Sequence, residues 1–138
     1  FLVAGAIAPW LPESRVQNEV VVQAAAVATG RFAASGYATV YDGVVGPWFL
    51  PTFHAATGLH HLDYVVLLPP VEVCLDRVRT RVGHGFTDRA ATRQMHAGFA
   101  AADVDERHVL ADPPDGVAAV ADLVEAARVA GRLSVSER

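Results

Sequence analysis

The sequence predicts an α/β domain built on parallel strands. Helical and strand-like segments alternate along the chain. The run 63–68, Asp63-Tyr64-Val65-Val66-Leu67-Leu68, is almost continuously apolar, as in a strand covered on both faces. The stretch 71–82 that follows carries an apolar stripe at helical spacing.

Residues 1–13, with Trp10 between Pro9 and Pro12, read as an irregular leading segment. Ser14-Arg15-Val16-Gln17 has the form of a capping box, in which the serine hydroxyl accepts from the Gln17 amide and the glutamine reaches back. The helix it opens runs through Ala34, with Val16, Val20, Ala24 and Val27 expected inward and Gly36 as its stop. Tyr37-Ala38-Thr39-Val40-Tyr41-Asp42 is short and rich in β-formers, which predicts a strand ending in an acid. Pro47 opens a short helix that Gly58 closes. Pro69-Pro70 stops the strand 63–68. In the helix 71–82, Val71, Cys74, Leu75, Val78 and Val82 form the stripe; Arg77 and Arg81 share one flank, Glu72 and Arg79 the other. Gly83-His84-Gly85 breaks that helix, and a polar stretch with a short helix around 91–102 follows. His108-Val109-Leu110 reads as a third strand. Asp115 caps a last helix to about Ala130, with Val117, Val120, Val124 and Ala127 inward. The strands end at Asp42-Gly43, Leu68-Pro69 and Ala111-Asp112, and ligands of parallel sheets gather beyond such ends.

The 138 residues suit one domain, and a formal net charge of -4 with no basic patch argues against a nucleic-acid partner. All 11 basic residues are arginine. No apolar run reaches the ~18 residues that span a bilayer. One cysteine, Cys74, allows no internal disulfide and suits a reducing cytoplasm. The chain starts at Phe1 and its one methionine is Met95, so it is expected to begin downstream of a natural start.

The order of elements, the stretch from Gly36-Tyr37 through Asp42-Gly43-Val44-Val45-Gly46-Pro47-Trp48-Phe49-Leu50, and the strand and helix from Val66 to Arg81 with Asp-Arg-Val-Arg-Thr-Arg resemble the AAA-type P-loop small-molecule kinases. These are related in layout to the gluconate, shikimate, chloramphenicol and nucleoside-monophosphate kinases. The resemblance implies a three-layer P-loop NTPase-type parallel sheet with helices on both faces, here a single domain over 1–138 with a lid at about 83–104. It implies ATP and magnesium as cofactors. The family's G-x-x-x-x-G-K-[ST] loop is absent, since the chain has no lysine. On the family plan the N-terminal strands are missing, and one of them belongs between 37–42 and 63–68. Self-association or instability of the truncated chain is then expected, because a sheet lacking a central strand leaves unpaired amides.

Asp42 is the candidate catalytic and metal residue, holding magnesium through water; the alternative is an acid opening an Asp-Gly turn. Arg77, Arg81 and Arg89 are candidates for clamping nucleotide phosphates, with Arg81 closest to catalysis; the alternative is a solvated helix flank. Trp10, Trp48 and Phe49 line an acceptor pocket or belong to the core. No histidine spacing matches a metal site. The expected function is ATP-dependent phosphoryl transfer to a small hydroxylated molecule by the intact protein; the alternative is a non-catalytic nucleotide-binding or interaction domain.

Overall fold

The computed structural model describes residues 5–83 and 86–136. Helix accounts for 55% of the structure. The chain forms two compact units, one built on the chain up to Leu62 and one on Asp63–Val135.

In the first unit a 3-10 turn, Pro12–Ser14, leads into α1 (Arg15–Ala34). The capping box does not form. Ser14 is itself helical and fully buried, and its hydroxyl donates to the carbonyls of Leu11 (2.7 Å) and Pro9 (3.0 Å). Gln17 turns backwards, donating to the Ile7 carbonyl and accepting from the Ile7 amide, both at 2.8 Å. Asn18 Nδ2 donates to Pro9 at 2.7 Å. These side chains pin the leading segment onto the first turn, and that use competes with capping.

The inward face of α1 is also the reverse of the expected one. Val22, Ala25, Ala26 and Gly30 are buried, while Val16, Val20 and Val27 are exposed. The helix is apolar on both sides, so periodicity cannot choose between them. Close approach chooses. A Cβ built on Gly30 would fall on the backbone carbonyl of Thr57, so only this face admits α2 (Leu50–Thr57). Val22, Ala26, Val45 and Phe53 form the core here, with Phe49, Ala56 and Leu62 packed around it. Gly58, at φ 66°, closes α2 in the left-handed conformation that a side chain would strain.

The expected strand 37–42 forms no ladder. Tyr37 and Val40 are solvent-exposed, the latter at 93%. Its residues have β propensity, but propensity supplies no partner for the backbone groups.

β1 (His61–Asp63) pairs antiparallel with β4 (Ser134–Ser136). In the second unit β2 (Val66–Leu67) pairs parallel with β3 (Val109–Leu110), in register Val66 to Val109 and Leu67 to Leu110. The Leu68 amide extends the ladder to Leu110 O at 2.9 Å. Between these strands lie α3 (Val71–Thr80) and α4 (Arg89–Ala100); α5 (Val117–Val129) follows. Two two-stranded sheets are the whole of the pairing among the described residues, so the three-layer P-loop sheet is not present. Proline limits the parallel pair: Pro69-Pro70 and Pro113-Pro114 follow the two strands, and proline has no amide to donate.

The stripe of α3 is as expected through Val78, with Leu75 buried and Val71, Cys74 and Val78 half-buried; Val82 lies beyond the helix and is exposed. In α5 only Ala127 is buried, and Val117 faces solvent. Of the expected Gly83-His84-Gly85 break, Gly83 has φ 81°, while His84 and Gly85 lie outside the described residues.

Candidate functional site

The parallel ladder places the carboxyl ends of β2 and β3 side by side, and β2 runs directly through buried Pro69 into α3. Asp112 is exposed just past β3. His96 of α4 returns to this edge. Its Nε2 lies 2.9 Å from the Pro69 carbonyl, which can only accept, so the nitrogen carries the proton. The Cys74 thiol donates to the same carbonyl at 3.7 Å. Burial raises the Cys74 pKa and neighbouring Arg77 partly offsets this, so its surroundings favour the thiol over the thiolate.

Two contacts fix the sense of the helical hairpin. Glu72 on α3 meets Arg93 on α4 at 3.1 Å, and Pro69 meets His96. As numbers fall on one helix they rise on the other, so α3 and α4 are antiparallel. Arg89 lies one turn before Arg93, roughly 6 Å along the axis, and Arg77 lies roughly 7.5 Å beyond Glu72 in the same direction. Arg81 immediately follows α3 in extended conformation. The three candidate arginines therefore gather toward the end of the hairpin opposite Pro69, and not at the strand edge itself.

Charge pairing separates the arginines of these two helices. Arg79 pairs with Asp76 at 2.6 Å and Arg93 with Glu72. Arg77, Arg81 and Arg89 are exposed and make no ion pair among the described residues. Asp88, the nearest acid in sequence to Arg89, is committed elsewhere: its carboxylate caps α4 by accepting from the Ala91 amide at 2.9 Å, and its carbonyl accepts from Thr92 Oγ1 at 2.7 Å. A free guanidinium has five donors in a planar fork suited to phosphate oxygens.

The other candidates lie in the first unit. Asp42 is exposed in the loop after 37–41. No group of three or more potential metal-ligating side chains occurs among the described residues. Trp48 is half exposed and stacks obliquely on Phe49, ring centroids 6.5 Å apart, while Phe49 packs on the core. Gly46 lies directly against the Trp48 ring, where a Cβ would collide. Trp10 is half-buried in the leading segment.

Several structural polar residues escaped the sequence reading. His108 is buried, and its Nδ1–H donates to Tyr64 O at 2.9 Å. Arg107, oriented by Asp105 at 3.1 Å, donates to the carbonyls of Arg132 (3.2 Å) and Ser134 (3.1 Å). Only Asp88 had a readable signal, an acid just before a helix. No protein-family model and no curated protein sequence matches the chain.

Proposed function

We propose that the second unit binds nucleotide phosphates through Arg77, Arg81 and Arg89, and that in an intact protein that also supplies a phosphate loop this binding serves phosphoryl transfer from ATP to a small hydroxylated molecule. The sorting of arginines on one helical hairpin carries the reading: Arg79 and Arg93 are neutralised by carboxylates, and the three gathered towards the connecting end make no ion pair among the described residues. Uncompensated guanidiniums suit a polyanion, and charge developing on a transferred phosphoryl group calls for such donors. The resemblance of Val66–Arg81 to the strand and helix that lead into the lid of the small-molecule kinases supports the same assignment.

Calorimetric titration of the full chain with ATP and with tripolyphosphate tests the clamp. Both are expected to bind, more weakly at higher salt. The triple variant Arg77→Ala, Arg81→Ala, Arg89→Ala weakens binding at least tenfold, about 1.4 kcal/mol. Arg79→Ala, which removes an ion-paired residue, changes it by no more than about 0.5 kcal/mol. A wild-type chain that binds neither compound, or a triple variant that binds as well, rules the clamp out. Binding without turnover is the expected behaviour of these 138 residues, which include no lysine and no Gly-rich phosphate loop.

The alternative, an interaction domain that uses no nucleotide, is favoured by one observation: the uncovered apolar side of α1.

A further inference from the structure

The outer side of α1 is patterned. Val16, Val20 and Val27 are 72%, 58% and 59% exposed, and with Ala24 they recur at spacings of four, four and three, one stripe along the helix. The stripe continues past both ends of the apolar run into charge. Glu13 lies three residues before Val16, and Arg31 lies four after Val27. Both are exposed, and neither makes an ion pair among the described residues. The helix thus presents acid, four small or β-branched apolar residues, then base.

We infer that this face is the interface of an isologous dimer, with a second copy of the chain laid antiparallel across it. A two-fold axis near Val22 brings Val20 opposite the partner copy's Ala24, Val16 opposite its Val27, and Glu13 opposite its Arg31. Each contact occurs twice by symmetry. The parallel alternative sets Arg31 against Arg31 and Glu13 against Glu13, so charge selects the antiparallel sense. Ala24 near the axis lets the two helices approach closely.

Sedimentation equilibrium of the full chain over a concentration series is the test, with far-UV circular dichroism confirming that each variant is folded. The wild type is expected to reach twice its 14.6 kDa mass and no higher. Val20→Glu, at an exposed position, keeps the fold and shifts dissociation to at least tenfold higher concentration. Glu13→Arg alone weakens the dimer, and Glu13→Arg with Arg31→Glu restores it. That rescue separates the interface from a simpler effect. Glu13 and Arg31 also complement the dipole of their own helix, and a double reversal acting only there lowers the melting temperature with no return of the dimer. A wild type that stays monomeric, one that grows into larger aggregates, a dimer indifferent to Val20→Glu, or a double reversal that fails to rescue would each overturn the assignment.

Discussion

Gly30 decides which side of α1 is the inside. It has no Cβ to hold the Thr57 carbonyl away, and the two helices meet there at backbone distance. Gly30→Ala improves helix propensity by about 1 kcal/mol. It also inserts a methyl against the rigid backbone carbonyl of Thr57, and overpacking of that kind costs about 1–3 kcal/mol or more. The second effect wins, so urea denaturation of Gly30→Ala is expected to show a lower midpoint than wild type. Nothing in the sequence marks Gly30, because it stands inside a helical run among alanines. Ser14 and Gln17 were legible as a polar pair at a helix start, but not in their roles: the bonds they make go to Ile7, Pro9 and Leu11, and local spacing encodes no such targets. Arg77, Arg81 and Arg89 could be nominated from type and position. Their distinction from Arg79 and Arg93 required knowing where Asp76 and Glu72 reach.

At the scale of elements, α3 and α4 were the most legible part of the chain. The stripe of α3 has one strongly apolar side, so its inward face was set, and the helix expected at 91–102 lies at Arg89–Ala100. α1 was found but turned over, since two apolar sides carry no preference. The strand 37–42 was read from residue types that want to pair, and pairing is a property of two segments. α4 is fastened by Ala91 and Thr92, both buried, and by the His96 bond to Pro69. His96→Ala leaves the buried Pro69 carbonyl without that donor, at a cost of about 1–3 kcal/mol. Hydrogen exchange should register the change as faster exchange of α4 amides, with the α1 amides unaffected. Equal protection of α4 in variant and wild type would mean the imidazole does not hold the hairpin together.

At the scale of the molecule, alternation of helix and strand implied a layered parallel sheet, whereas the parallel pairing among the described residues is the single pair of β2 with β3, linked through α3 and α4. It overstated the sheet, because alternation counts strands and says nothing of how many ladders close. Stability of the whole should also carry a mark of Tyr64. Burial pushes its phenol up to about 12 from 10.0. Below pH 10 the folded and unfolded chains both hold this proton and the contribution is complete. Above pH 10 the unfolded chain releases it first, so stability falls as pH rises towards 12, with a limiting slope of about 1.4 kcal/mol per pH unit. Urea midpoints measured from pH 9 to 11.5 should show this fall in wild type and a shallower one in Tyr64→Phe. Tyr64 has a second role as a backbone hub: its carbonyl takes the His108 proton, and its amide donates to Leu133 O at 2.9 Å. Leu133 is among the most deeply buried side chains, and Arg107 fastens the backbone on either side of it. During synthesis His108 emerges 44 positions after Tyr64, and Leu133 some seventy. The α1–α2 pair can assemble as soon as Thr57 has cleared the ribosome, whereas the second unit must wait, its half-formed interior open to chaperones, until Leu133 has been made.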